Sequence, residues 1–187
     1  MKLALFGGTF DPIHEAHLAI AREAADRYVD QVWFVPAAHP PHKRGATRAP
    51  YEDRVRMAEL ACRADPRFEV SRIEERTVRS YSIDTIEKVR AGLAPGDELY
   101  FLIGADAFAE IRSWHRWREV ARAVRFLVVS RPGHRYETPR EASIERIDEF
   151  ELPVSSSDIR RALARGERPA GLPEAVLQYA LDHKLYG

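Results

Sequence analysis

Cysteine is almost missing: Cys62 is the one thiol in 187 residues. No disulfide can close within the chain, so a stapled secreted scaffold is excluded and a reducing cytoplasm is the expected compartment. Excess charge is missing too, because 29 basic residues balance 29 acidic ones. A general nucleic-acid binder carries a basic surplus, so no nucleic-acid partner is expected. No stretch approaches the ~18 consecutive apolar residues of a membrane span. The first apolar run stops at Gly7, too early for the core of a signal peptide. A membrane partner is therefore not expected. Nor is there an internal repeat, or a break in composition that would mark a second domain.

What is present is a chain with 45% hydrophobic residues, enough for one packed core. Short apolar runs alternate with helical patterns. Strands are expected at 3–6, 32–35, 68–73, 99–103 and 126–129, with an edge strand where Phe150, Leu152 and Val154 alternate. Helices are expected from Pro12 to about Tyr28, at 51–64, from Ser82 to Leu93, after Asp106, up to about Ala123, from Ser155 to Arg165, and after Pro173. Residues 134–146 read as polar and exposed. This alternation predicts a single α/β domain over 1–187, Rossmann-like, with a parallel sheet, helices on both faces, and C-terminal helices from about 156. Ligands of such sheets bind beyond the carboxyl ends of the strands. Those ends lead into 7–17, 36–44, 104–117 and 131–133, which hold the unusual residues.

The chain is organised around 3–18, LALFGGTFDPIHEAHL. An apolar strand runs into Gly7 and Gly8, which permit a tight turn and close backbone approach to a ligand. A helix follows, with Pro12 suited to its first turn. A helix N-terminus after a glycine turn is an anion site. His14 and His17, three apart on one helical face, add donors to it. That combination fits a phosphate under chemical attack, where positioning and stabilisation of charge do most of the work. The bland alternative is two surface histidines.

His39 and His42 repeat the His-x-x-His spacing, and four imidazoles could bind zinc. Against zinc, Pro40-Pro41 stiffens the second pair, and no carboxylate or thiolate falls at ligand spacing. Lys43 and Arg44 end a Pro-rich loop of a length that is usually functional. Ser155-Ser156-Ser157-Asp158 caps a second helix, and with Arg160 it makes another anion cradle or an ordinary N-cap. Gly104 and Asp106 follow the most apolar strand, where an Asp could accept from ribose hydroxyls or merely cap a helix. Trp114-His115-Arg116-Trp117 offers flat surfaces for a ring, or core filling.

Gly7 to His17 resembles the Gly-Gly-Thr-Phe-Asp-Pro-Ile-His-x-Gly-His signature of the nucleotidyltransferase superfamily, departing only at Ala16, where the family usually has Gly. Pro40-Pro41-His42-Lys43 resembles its Pro-Pro-His-Lys segment. Residues 154–160 resemble its Ile-Ser-Ser-Thr-x-Ile-Arg motif, with Val154 for Ile and Ser157 for Thr. Five further segments resemble the bacterial nicotinate-nucleotide adenylyltransferases: 80–85 (SYSIDT), 101–106 (FLIGAD), 114–117 (WHRW), 130–133 (SRPG) and 183–186 (HKLY). Phosphopantetheine adenylyltransferases share the first motif but lack the Trp-His-Arg-Trp segment.

The resemblance implies that ATP and nicotinate mononucleotide are joined to give deamido-NAD and pyrophosphate, with Mg²⁺ accompanying ATP and no resident metal. It implies His17 on the α-phosphate, His14 orienting phosphate, and Lys43 and Arg160 on the leaving pyrophosphate. Gly7, Gly8, Thr9 and Phe10 would line the phosphate site. Gly104, Asp106, Ser155, Ser156 and Ile159 would complete the ATP site. Thr85, Trp114 and the His115 backbone would hold the nicotinate. A homo-oligomer is left open. The alternatives are another small-molecule adenylyltransferase (phosphopantetheine or nicotinamide mononucleotide), a non-catalytic nucleotide-binding module, favoured by Ala16 alone, and the zinc protein.

Overall fold

The computed structural model describes residues 1–39, 47–130, 135–147 and 153–187. Its centre is β1, Lys2–Gly8. Alternate side chains of β1 are buried on opposite faces, Leu3 and Leu5 on one, Ala4 and Phe6 on the other. That is why the run is apolar throughout: a parallel strand covered on both faces has no solvent side.

Around β1 stand β2 (Gln31–Pro36), β3 (Phe68–Val70), β4 (Glu98–Gly104), β5 (Arg125–Val129) and β6 (Ser143–Ile147). The order across the sheet is β3-β2-β1-β4-β5-β6, and every pairing is parallel. This is the doubly wound Rossmann order, which reverses direction between β1 and β4 and opens a crevice there.

Helices α1 (Glu15–Arg27), α2 (Tyr51–Cys62), α6 (Ser156–Ala164) and α7 (Glu174–Asp182) cover one face. Helices α3 (Ser82–Gly92), α4 (Ala105–Ala109) and α5 (Trp117–Ala123) cover the other. On the inner face of α2, Val55, Ala58 and Cys62 are buried, while Tyr51 is half-buried. In α7, Val176, Leu177 and Ala180 are buried, whereas Leu181 is exposed. Phe34 on β2 is fully buried and meets the rings of Phe6, Phe10 and Phe68 at 5.4–5.6 Å. Truncating it to alanine would cost about 3–5 kcal/mol, and Phe10, at the ligand edge, would lose its support.

Three expectations change. Helix α1 begins at Glu15, not Pro12, because His14 is extended (φ −147°, ψ 173°) and serves as N-cap. β3 ends at Val70, after which the chain turns through Glu75→Arg72 and Thr77→Glu74 backbone bonds. The sixth strand is Ser143–Ile147, within the stretch read as exposed loop. The expected edge strand lies mainly outside the described residues, and Val154 is not in a strand.

Candidate active site

The site lies where β1 and β4 end. Gly7 and Gly8 are the last two residues of β1, paired with Val35 and Pro36, and neither has positive φ. The turn expected of them falls instead on Phe10, which holds φ +45° with its side chain buried. At Gly8 a Cβ would stand 3.0 Å from the Phe10 ring, a tight contact that the ring would have to yield to by a few tenths of an ångström. At Gly104 a Cβ would meet nothing within 4 Å, so the space beside the end of β4 is open.

The loop that follows is held by two buried charged side chains that local pattern did not single out. Asp11 accepts from the amides of Arg48 (2.6 Å) and Ala49 (3.1 Å) and from the Tyr186 hydroxyl (2.7 Å). Arg54 donates to the carbonyls of Thr9 (2.6 Å), Ala37 (2.9 Å) and Ala49 (3.3 Å). Burial lowers the Arg54 pKa from the usual guanidinium value, and Asp11 opposes that shift. A guanidinium still stays protonated at neutral pH. Together they join the β1–α1 loop to the β2–α2 connection and to the C-terminal turn. Asp11 lay inside the quoted signature and Tyr186 inside the quoted 183–186 segment, which are the signals that could have found them.

His14 and His17 meet at the entrance of α1. Their rings stack 3.8 Å apart and 25° from parallel. The His14 amide donates to Nδ1 of His17 at 3.2 Å. A neutral imidazole that accepts at Nδ1 carries its proton on Nε2. The His17 ring is wedged edge-on against Phe10 (5.1 Å) and Phe6 (5.9 Å). Burial pushes the His14 pKa down to about 4. Burial, and then the neighbouring His14, push His17 well below its usual value. Both rings are therefore neutral at neutral pH, and His14 Nδ1 is buried without a partner among the described residues. The helix amides are less available than expected: Glu15 N–H donates to the Gly171 carbonyl at 2.8 Å.

Helix α6 docks on the same loop. Ser156 Oγ donates to the Pro12 carbonyl (3.0 Å), and Arg160 donates to the Asp11 carbonyl (2.7 Å) and to Ser157 Oγ (3.2 Å). Ser155 caps the helix, accepting from the Asp158 amide at 3.1 Å. Arg160 is thus brought to the histidine loop, but the Ser156 hydroxyl is already engaged. Ile159 does not present its side chain to a ligand: it is 2% exposed in the core, because it lies on the inner face of α6. Phe10 likewise offers only its backbone. Lys43, with His42 of the four-histidine reading, lies outside the described residues. Among those described, no three His, Cys, Asp or Glu side chains converge to hold a metal ion.

Between the ends of β1 and β4 and the start of α3 lies a cavity of about 200 Å³, lined by Gly8, Glu74, Thr85, Phe101, Gly104 and Trp114 among others. Trp114 stands edge-on to Phe101 at 5.9 Å. His115 is exposed and stacks on Tyr81 at 4.4 Å. Asp106 is exposed in the first turn of α4, beyond β4. Thr85, which the resemblance places on the nicotinate, has both of its donors in use. Its amide donates to the Tyr81 carbonyl (3.3 Å) and its hydroxyl to Glu74 Oε1 (2.7 Å).

Residues 5–162 match the cytidylyltransferase-like family. A protein of Solibacter usitatus named as a probable nicotinate-nucleotide adenylyltransferase is 74% identical over 187 residues, covering 100% of both chains. One of Thermus thermophilus with the same name is 42% identical over 191 residues, again covering 100% of both. Among solved structures, the Plasmodium falciparum nicotinic acid mononucleotide adenylyltransferase complexed with NaAD superposes with a TM-score of 0.81. That match covers 99% of this chain and 97% of the other at 18% identity, a likeness of fold.

Proposed function

Because this chain belongs to the cytidylyltransferase-like family, and within it to the nicotinate-nucleotide adenylyltransferases, we propose that it transfers the adenylyl group of ATP to nicotinate mononucleotide. The phosphate oxygen of the mononucleotide attacks the α-phosphorus of ATP. The bond from that phosphorus to the bridging oxygen breaks, giving deamido-NAD and pyrophosphate. No covalent intermediate with the protein is needed.

The observation that carries this reading is the His14–His17 pair. His17 Nδ1 is held by a backbone donor, so Nε2–H is the group left to donate. A neutral donor fixed in this way stabilises charge that develops on the α-phosphate oxygens without reorganising. His14, whose Nδ1 is buried without a partner among the described residues, would orient the phosphate chain. Arg160, tethered to the Asp11 carbonyl, and Lys43 from the Pro-rich loop would hold the leaving pyrophosphate. The backbone of Gly7 to Phe10 would face the phosphates, and Gly104 and Asp106 the adenosine. Trp114 would face the pyridine.

Mg²⁺ fits this site as a companion of ATP. Magnesium in such enzymes keeps most of its water and binds largely through substrate phosphates, so it needs no protein cage. When bound it neutralises charge on the triphosphate. Asp11 would not be its ligand, because both carboxylate oxygens are already engaged.

The test is pyrophosphate release from ATP with a panel of acceptors: nicotinate mononucleotide, nicotinamide mononucleotide and phosphopantetheine. Fastest release with nicotinate mononucleotide is expected. Release with none of them would leave a nucleotide-binding module without turnover.

A further inference from the structure

We infer that Lys184 and Arg48 join Arg160 in binding a short phosphate-anhydride chain, and that they set how tightly the protein holds pyrophosphate; this rests on the adenylyl-transfer reading above. The place is a second cavity, of about 710 Å³, between α6 and the C-terminal turn. Ser157, Arg160, Arg161 and Ala164 form its α6 wall, because residues three, four and seven apart share a helical face. Arg48, from the segment before α2, and Lys184, from the turn after α7, line it as well. The lining thus carries four cationic side chains and no acidic one.

An ordinary solvated basic surface does not look like this in the present protein. Elsewhere Arg67, Arg72 and Arg116 each hold two or more carboxylates. On this wall Arg161 is paired with Asp158. The Arg48 and Lys184 side chains have no ionic partner among the described residues. Arg160 is held only by neutral acceptors, the Asp11 carbonyl and Ser157 Oγ, so its charge is uncompensated. Asp11 itself does not face the cavity. It is 2% exposed, and its carboxylate already accepts from two amides and the Tyr186 hydroxyl.

Three uncompensated cations from three segments suit a compact polyanion, whose charged oxygens lie close together and point in several directions. The cavity joins the reaction through Arg160, which lines it and is tethered to the loop that leads into the histidines. The turn gives no reason of its own for a lysine at 184. Its backbone is left-handed there (φ 52°), where glycine costs least. The amide bond from Lys184 to the Leu181 carbonyl (3.1 Å) does not need the side chain.

The experiment is calorimetric titration of inorganic pyrophosphate, with Mg²⁺ present, into the wild-type protein and four variants. These are Lys184→Gly, Lys184→Arg, Arg48→Ala and, as a control, Lys88→Ala, an exposed lysine of α3 across the sheet. Lys184→Gly and Arg48→Ala should each weaken pyrophosphate about tenfold, the scale of one hydrogen bond to a charged group. Lys184→Arg should restore most of the affinity, and Lys88→Ala should leave it unchanged. Glycine relieves the left-handed turn, so a loss in Lys184→Gly reports the missing charge and not a damaged fold. Parallel titrations with ATP and AMP separate two sources of the same chemistry. Weakening of ATP but not AMP assigns the cations to the outer phosphates of bound ATP; weakening of pyrophosphate alone assigns them to the free product. Either result supports the site. No binding of pyrophosphate by the wild-type protein, an unchanged Kd in both Lys184→Gly and Arg48→Ala, or an equal loss in Lys88→Ala overturns it. Lys184-dependent binding of pyrophosphate in a protein that releases none from ATP with any mononucleotide upholds the site and overturns the adenylyl-transfer reading.

Discussion

Tyr186 donates a 2.7 Å hydrogen bond to Oδ1 of Asp11, 175 positions earlier in the chain. To reach it the backbone turns left-handed at Lys184 (φ 52°) and at Tyr186 (φ 70°). Such conformations cost of order 1 kcal/mol each for residues with side chains, so the surrounding contacts must offset them. The acceptor is the carboxylate that also gathers the Arg48 and Ala49 amides. One hydroxyl thus helps hold the loop that leads into His14 and His17.

Tyr186→Phe keeps the ring and removes only that donor. It is expected to destabilise the fold by about 1.5–3 kcal/mol, the net contribution of one hydrogen bond to a charged group, since Oδ1 keeps its bond from the Ala49 amide. It should also lower kcat more than it raises KM for ATP, because the loop it steadies leads into His17, the proposed transition-state donor. Urea unfolding and steady-state kinetics on one preparation check both parts. Unchanged kcat would reduce Tyr186 to a packing residue.

His17→Ala removes the imidazole whose Nδ1 is held by the His14 amide. Loss of kcat by about 10²-fold or more is expected, the scale for a lost transition-state donor, with KM for ATP little altered. Normal kcat with a raised KM would mean that His17 only binds.

The buried histidines predict the direction of acid sensitivity. In the unfolded chain His14 takes a proton near 6.5, but in the folded protein only at about 4. Between these values the unfolded state binds more protons, so stability falls as pH falls through the window. His14 alone contributes up to about 3 kcal/mol to that loss, and His17 acts in the same sense. His14→Gln should flatten the slope. Denaturant midpoints measured from about pH 7 to about pH 4.5 decide it, since equal midpoints contradict the shift.

Ala16 sits buried in the first turn of α1, where the superfamily signature carries glycine. Ala16→Gly is expected to destabilise by up to ~1 kcal/mol through backbone entropy, with activity changed little. A rise in turnover by orders of magnitude would mean that the alanine methyl obstructs the phosphate site, and that the natural chain is a weakened enzyme.

Much of this was legible without coordinates, and the reason differs by residue. The apolar strands and their intervening helices follow from local periodicity, because a strand buried on both faces has no polar alternation to hide it. The Gly7 to His17 signature is contiguous, so its identity survives any uncertainty in how the chain folds around it. Position 54 shows where that stops. An arginine beside the inward positions 55 and 58 reads as solvated, yet Arg54 is 1% exposed. Its three acceptors, on Thr9, Ala37 and Ala49, are carbonyls from separate segments, and a backbone carbonyl leaves no trace in residue type. Strand β6 was missed for a related reason. Ser143–Ile147 is largely polar, and what makes it a strand is the open edge of β5. The same holds for Thr85 and Glu74. The resemblance assigns the threonine to the nicotinate, but only the folded chain determined where its hydroxyl donates, because the acceptor is a carboxylate oxygen of Glu74, eleven residues earlier in the turn before α3.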